Sequence, residues 1–173
     1  MPIVLAEDDP ARLLWERCDQ QLLKLFWHRL ESRPVPVGTI AADLGLRIVS
    51  KTLPINISGS IRLTDGSYII EVNNTDAPVR QRFTVSHEIG HYLLHRDLIT
   101  SDGITDTILF RSNLTNAQEA EANRIAAAIL LPWEPVHSWH QSEFGTPPIV
   151  GNVERIAEAY RASRLAVGFR FGF

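Results

Sequence analysis

Two histidines and a glutamate near the middle of the chain have the spacing of a metal site. His87, Glu88 and His91 form the pattern His-Glu-x-x-His. On a helix, residues four apart lie on the same face one turn apart, so both imidazoles could bind one zinc ion. Glu88 could then take a proton from a water molecule at that ion. The pattern therefore predicts a hydrolytic zinc centre, provided that the chain supplies a third ligand.

Two glutamates compete for the position of the third ligand, since a catalytic zinc ion usually has three protein ligands. Both lie in the alanine-rich segment Asn116–Leu130, which another backbone could approach closely. Helical phase favours Glu119, because Ala122, Asn123, Ala126, Ile129 and Leu130 continue its face and should point inward. Glu121 lies about 200° further round the helix, toward solvent with Arg124 and Ala128. Glu119 could instead belong to a capping box that begins at Asn116.

Three further polar side chains could support or face such a site. Asn123 is one turn after Glu119 and could bind a ligand histidine, which fixes its tautomer. His95 continues the spacing of His87 and His91, but three such residues span ~12 Å at ~1.5 Å per residue, too far for one ion. His95 and Tyr92 are therefore candidates for contact with a ligand or with substrate. The other histidines are expected on the surface or at an interface: His28, His137 and His140.

The chain order predicts an α+β fold around this motif. An acidic cap at Asp8–Asp9 should begin an amphipathic helix over residues 11–31, and a second helix should end at Gly45. Strand patterns follow, including a hairpin across Asp65–Gly66 that could offer an edge strand to an extended substrate. Residues 77–96 form the motif helix, which is apolar on both sides and so should be buried through the centre of the domain.

The later segments are predicted to be mostly helical. A polar loop with one short strand at Thr107–Phe110 should precede the second site helix, which ends at Pro132. Helices are then expected over residues 133–143, 150–160 and 163–169. Length and composition indicate a single domain, with an N-terminal helix in 1–35, a core in 36–132 and a helical segment in 133–173. The expected sheet is small, mostly antiparallel and three-stranded.

Composition narrows the class of protein. The net charge of −3 comes from 17 basic and 20 acidic residues, without a long basic run, so direct nucleic-acid binding is not expected. A single cysteine, Cys18, cannot form an internal disulfide and should be a small buried hydrophobe. No apolar run is long enough for a membrane span, and the N-terminus lacks the basic start of a signal peptide. A cytoplasmic protein is the expectation.

Two motifs resemble the ImmA/IrrE family of metallopeptidases. The first runs from Arg80 to His95 and the second from Glu119 to Pro132, with similar lead-ins at Thr39–Val49 and Ser58–Ile61. The resemblance covers roughly residues 39–132 and is weaker to the end. It implies a zincin-like core, in which a small sheet packs on two metal-binding helices, with additional N- and C-terminal helices.

The resemblance also implies roles and partners. His87, His91 and a glutamate of the second helix would bind one zinc ion, and Glu88 would be catalytic. In the family the ligand glutamate lies four residues before an asparagine, which here selects Glu119. Members are bacterial or phage-related, and several cleave a helix-turn-helix repressor or belong to toxin–antitoxin-like pairs. The sensor-like domain of the IrrE branch has no counterpart in this sequence, so regulation through it is not expected.

The functional prediction is therefore a zinc-dependent endopeptidase acting on a specific protein, such as a helix-turn-helix repressor or an antitoxin. The alternative is a protein-binding module without proteolysis, in which the metal site is structural or vestigial. A third interpretation, a DNA-binding regulator, would rely on the scattered arginines of the terminal helices and is disfavoured by the acidic balance.

Overall fold

The computed structural model describes residues 3–107 and 114–173, and this part of the chain has an α+β fold. Its helices are α1 (Arg12–Arg17), α2 (Gln20–Phe26), α3 (Val37–Asp43), α4 (Pro78–Leu94), α5 (Asn116–Leu130), α6 (Trp133–Phe144), α7 (Val153–Tyr160) and α8 (Arg164–Phe171). Its strands are β1 (Arg47–Lys51), β2 (Ile57–Thr64), β3 (Ser67–Asn73) and β4 (Ile104–Thr107). Short 3-10 helices occupy Trp27–Glu31, Arg96–Leu98 and Val150–Asn152. None of the described helices combines the length and the apolar character needed to cross a membrane.

The four described strands form one mixed sheet in the order β1-β3-β2-β4. β3 pairs parallel with β1 and antiparallel with β2, and β2 pairs antiparallel with β4. The sheet therefore has one strand more than the three expected, namely β4. The short strand expected at Thr107–Phe110 overlaps β4 only at Thr107, and its other residues lie outside the described part of the chain. The hairpin strands β2 and β3 are both internal, so the expectation that the hairpin offers an edge strand is wrong. Among the described strands, the edges are β1 and β4.

The hairpin turn itself is the predicted one. Asp65 and Gly66 join β2 to β3 with φ angles of 49° and 75°. Positive φ at both central residues is typical of the type I′ turn, whose twist matches that of the flanking strands. Gly45, with a φ of 74°, likewise follows α3 where the sequence predicts the helix to end.

The single N-terminal helix expected over residues 11–31 is instead two helices and a 3-10 segment. The chain becomes extended at Cys18, and the Asp19 carboxylate accepts a hydrogen bond from the backbone N–H of Gln21, which begins α2. Asp19 is a strong N-cap, and this local signal outweighs the continuous apolar stripe. Cys18 is buried as expected, and burial raises the pKa of its thiol to about 12, so the thiol is protonated at neutral pH.

Helix α4 passes through the interior, as its apolar character on both sides predicts. Every residue from Thr84 to Leu93 is buried. β2 and β3 pack on α4, and so do α3 and α5. The motif side chains are therefore surrounded by packed elements rather than displayed on a surface.

A buried ion pair joins the N-terminal segment to the last helix. The Arg170 Nη1 atom lies 2.6 Å from Asp9 Oδ1, and the two side chains are only 3% and 8% exposed. Arg170 also donates through Nε to the carbonyl of Leu131, just after α5. Asp9 accepts a second hydrogen bond from the backbone N–H of Ala11, at the start of α1. One arginine thus connects α8, the end of α5 and the start of α1.

Replacing this arginine should destabilise the fold strongly. Arg170→Met leaves the Asp9 carboxylate buried without its cation, which should lower the free energy of unfolding by about 3 kcal/mol. Arg164→Met is a matched control on the same helix, because the Arg164–Glu154 pair is exposed and should contribute little. Urea unfolding of both variants checks this. Equal unfolding free energies for the two variants would contradict the assignment.

Candidate metal centre

Helices α4 and α5 cross unusually closely at the candidate metal centre. A Cβ atom added to Gly90 would lie 3.0 Å from the carbonyl oxygen of Ala122 and 3.2 Å from its Cα. No side chain at position 90 would fit without a shift of backbone, so glycine is required by the approach of the two helices. His87 and His91 on α4, and Glu119 on α5, all lie within one turn of this crossing.

The crossing brings three ligand atoms together. The Nε2 atoms of His87 and His91 are 2.9 Å apart, and the Glu119 carboxylate lies 3.4 Å from the first and 3.7 Å from the second. A tetrahedral ion bound at about 2.0–2.1 Å by each atom would need separations of about 3.3 Å. The observed distances bracket that value, so these residues fit a metal ion. Within the described residues, no other group of three His, Cys, Asp or Glu side chains converges in this way.

Helix capping leaves Glu119 available for this role. Thr115, not Asn116, is the N-cap of α5, and Gln118 is its partner in the capping box. The Gln118 backbone N–H donates to the Thr115 hydroxyl, while the Gln118 side chain accepts from the Thr115 backbone N–H. The alternative in which Glu119 closes a capping box begun at Asn116 is therefore wrong.

The charge states also suit a metal. Burial lowers the pKa of His91 to about 4, so its imidazole is neutral at pH 7, as a ligand must be. Burial alone would raise the pKa of Glu119, but its contacts with His87 and His91 outweigh this and hold that pKa well below its ordinary value. Glu119 is thus an ionised carboxylate at neutral pH. The cluster therefore includes the neutral His91 imidazole and the anionic Glu119 carboxylate.

Asn123 lies behind His87. Its Oδ1 atom is 2.9 Å from His87 Nδ1, so the ring donates a hydrogen bond to the amide oxygen. With the proton on Nδ1, the lone pair of the ring is on Nε2, which is directed into the cluster. This is the contact that the position of Asn123, one turn after Glu119, predicts.

His95 lies behind His91 and outside the cluster. Its Nδ1 atom is 3.1 Å from His91 Nδ1, and its Nε2 atom is 3.0 Å from Glu121 Oε2. The expectation that Glu121 faces solvent with Ala128 is wrong, because Glu121 is half-buried and Ala128 is buried. Glu121 also pairs with Arg17, whose hydrogen bond lowers the pKa of Glu121. Glu121 therefore contacts His95, and its carboxylate is not part of the three-residue cluster.

The remaining candidates lie in different surroundings. Glu88 is fully buried in α4, next to His87 in the chain. Tyr92 packs edge-to-face on Tyr68 of β3, with ring centroids 5.0 Å apart, so its contacts are with the sheet rather than with the cluster.

Of the histidines expected at the surface, one is not there. His28 is exposed and His137 is half-buried, but His140 is completely buried. The His140 ring is hydrogen-bonded to the Thr146 carbonyl and to the Asn152 side chain. These contacts satisfy both ring nitrogens, so His140 is a core residue that joins α6 to the following loop.

Comparison with known proteins agrees with this geometry. The Peptidase_M78 family model, described as the IrrE N-terminal-like domain, matches residues 41–171. The chain belongs to this family. The match continues past Pro132 through α8, and a Peptidase_M78 domain is expected to bind a metal ion. The cluster of His87, His91 and Glu119 is a possible site for that ion.

Two individual proteins illustrate the relationship. Radiation response metalloprotease IrrE of Deinococcus radiodurans is 37% identical over 98 residues, which is 56% of this chain and 29% of that protein. The chain thus corresponds to less than a third of that relative's length. A Mycobacterium tuberculosis transcriptional regulator superposes with a TM-score of 0.57 and 16% identity, over 87% of this chain and 44% of that one. At that identity the likeness concerns the fold alone.

The helix crossing can be tested with one methyl group. Gly90→Ala should force α4 and α5 apart, lower the free energy of unfolding by about 1–3 kcal/mol and weaken zinc binding. Gly38→Ala in α3 is the matched control, because nothing lies within 4 Å of the added Cβ and alanine favours a helix. Urea unfolding and zinc titration would measure both effects. Wild-type values for Gly90→Ala would show that the crossing tolerates a side chain.

The buried imidazole predicts a pH dependence of the metal-free protein. His91 has a pKa of about 4 in the fold against an ordinary 6.5, so the unfolded chain takes up the proton first as pH falls. Stability should therefore decline from pH 6.5 to pH 4, by about 3 kcal/mol. The low pKa of Glu119 adds a further loss below its ordinary value of 4.5. Urea unfolding with chelator should show a flatter profile for His91→Gln, and identical profiles would exclude His91 as the source.

Proposed function

We propose that this chain is a zinc-dependent endopeptidase that cleaves a specific protein. The observation that carries the proposal is the convergence of His87 Nε2, His91 Nε2 and the Glu119 carboxylate, in a chain of a metallopeptidase family. Two imidazoles and one glutamate are a ligand set of catalytic zinc, whereas magnesium and calcium prefer oxygen ligands. The arrangement of sheet, α4 and α5 also supports a zincin-like description of the fold.

The chain's own residues would divide the work of peptide hydrolysis. A zinc ion, when bound, would supply Lewis-acid activation of water and of the scissile carbonyl. His87, His91 and Glu119 would hold the metal, and Asn123 and His95 would keep the two imidazoles oriented. Glu88 accepts the proton of the attacking water and transfers it to the leaving amine. Because Glu119 is ionised, its charge partly compensates that of the cation.

The proposed substrate is a protein of the helix-turn-helix repressor or antitoxin class, in the cytoplasm. Support comes from the family resemblance and from one relative, a radiation response metalloprotease. An extended segment of the substrate would pair with β4 rather than with the hairpin. β4 is an edge among the described strands, and its neighbour β2 contacts α4 where Gly59 meets Thr84, one turn before His87.

Substitution of the proposed general base gives the direct test. Glu88→Gln should bind zinc with wild-type stoichiometry but cleave the substrate about 10²–10⁴-fold more slowly, because the amide cannot accept the proton. Glu143→Gln, an exposed glutamate on α6, is the control and should retain full activity. Elemental analysis and cleavage of a co-encoded helix-turn-helix protein, with and without chelator, are the measurements.

The same measurements distinguish the alternative function. A chain that binds the partner tightly but leaves it intact, with zinc present, would be a binding module rather than a peptidase. Full cleavage by Glu88→Gln would reject the role of Glu88 while leaving the peptidase activity in place.

A further inference from the structure

A line of hydrogen bonds runs from the metal cluster to the N-terminal helix α1. His91 Nδ1 is 3.1 Å from His95 Nδ1, and His95 Nε2 is 3.0 Å from Glu121 Oε2. Glu121 then receives both Nη atoms of Arg17, at 2.5 and 3.2 Å. The line joins three separate elements, since His91 and His95 belong to α4 and its end, Glu121 to α5 and Arg17 to α1.

The chemistry of each partner sets the direction of these hydrogen bonds. A carboxylate can only accept, so Glu121 requires the proton of His95 to be on Nε2. A neutral His95 then has a lone pair on Nδ1, which accepts from His91 Nδ1–H. With its proton on Nδ1, a neutral His91 has a free lone pair on Nε2, the atom that faces the cluster. The Glu121 carboxylate thus determines the tautomer of His91 through His95.

The two ligand histidines differ in their partners. His87 donates directly to the oxygen of the Asn123 amide, so no second imidazole intervenes. His91 instead donates to another imidazole, which could equally donate a proton if nothing fixed its tautomer. A third group is therefore necessary on this side of the site. Glu121 is that group, and Arg17 holds Glu121 with a bidentate contact.

Burial should make a broken hydrogen bond most costly at His91 and His95. The side chains of His91 and His95 are 0% and 4% exposed, so a broken hydrogen bond there cannot be replaced by water. The exposed fraction rises to 22% for Glu121 and 52% for Arg17. Loss of His95 should therefore matter most, and loss of Arg17 least.

We propose that Arg17, Glu121 and His95 are positioning residues that hold His91 in its metal-binding tautomer and so couple helix α1 to the metal centre. Arg17 precedes residue 41, where the family match begins, so part of the support for the site comes from outside the matched region. The inference rests on the proposed function, because it takes His91 to be a metal ligand.

Zinc affinity provides the first measurement, by competition with a chromophoric chelator. His95→Leu removes both hydrogen bonds and should raise the zinc dissociation constant about 10–100-fold. His95→Asn retains an acceptor near the position of Nδ1 and should recover most of that loss. Arg17→Met should raise the constant only about two- to fivefold, as expected for a half-exposed pair. Arg12→Met, which breaks the exposed Arg12–Glu16 pair on the same helix, is the matched control and should change nothing.

The tautomer of His95 provides a second measurement that needs neither metal nor activity. Long-range ¹H–¹⁵N NMR of the metal-free wild type should show His95 protonated on Nε2 alone, the atom next to the Glu121 carboxylate. Glu121→Gln can offer His95 either a donor or an acceptor, so both tautomers of His95 should become populated. A role limited to packing would leave this pattern unchanged.

The outcomes separate the inference from the proposed function. A wild-type chain that binds no zinc at His87, His91 and Glu119 would reject both. Zinc binding by the wild type with equal affinity in folded His95→Leu and Arg17→Met would reject the inference alone. Circular dichroism shows which variants are folded. If His95→Leu is not, the zinc affinity of Arg17→Met and the NMR spectra of Glu121→Gln test the inference. An Nδ1-protonated His95 in the wild type would likewise overturn the inference.

Discussion

The contact between Gly90 and Ala122 is the constraint on which the metal centre depends. The separation of α4 and α5 there is set by two backbones that nearly touch. Ligand atoms must lie within a few tenths of an ångström of their required positions, so a larger helix separation would move Glu119 out of reach of both imidazoles. The alanines of α5 serve the same end, because Ala122 and Ala126 are fully buried without spacing the helices apart. Small residues here are therefore part of the site's geometry as much as of its packing.

Helix α4 carries polar side chains into the protein core, and local hydrogen bonds offset the free-energy cost of burying them. Buried polar groups destabilise a fold unless they are paired. The Ser86 hydroxyl donates to the carbonyl of Arg82, and the two ligand histidines donate to Asn123 and His95. These contacts satisfy the Ser86 hydroxyl and an Nδ1 atom of each histidine, and they also set the direction of each imidazole. The hydrogen bonds that reduce the cost of burying these side chains thus also orient the Nε2 atoms of both histidines.

Local sequence patterns predict most residues of the candidate site but fewer features of the fold. The motif helix, the Asp65–Gly66 turn and the inward phase of Glu119 follow from short-range periodicity, and the structure contains each of them. The helix break at Asp19 could have been foreseen, because an N-cap residue is visible in the sequence. The strand order and the Arg17–Glu121 contact could not, since the contact joins residues 104 positions apart and periodicity carries no information on which elements become neighbours. Helical phase directs Glu121 away from the cluster, but it does not show that α1 covers that side of α5.

Helix α4 is fixed at both ends of its buried stretch, by different parts of the chain. Near its N-terminus, Arg82 donates to the carbonyls of Val35, Tyr160 and Arg161, and burial lowers the pKa of this guanidinium. At its C-terminus, His95 connects it to α5 and α1. His87 and His91 lie between these two anchors, so contacts within the chain hold both residues in place. In the proposed peptidase, the surrounding surface would bring a peptide to this centre, and selectivity would arise from that surface rather than from the ligands.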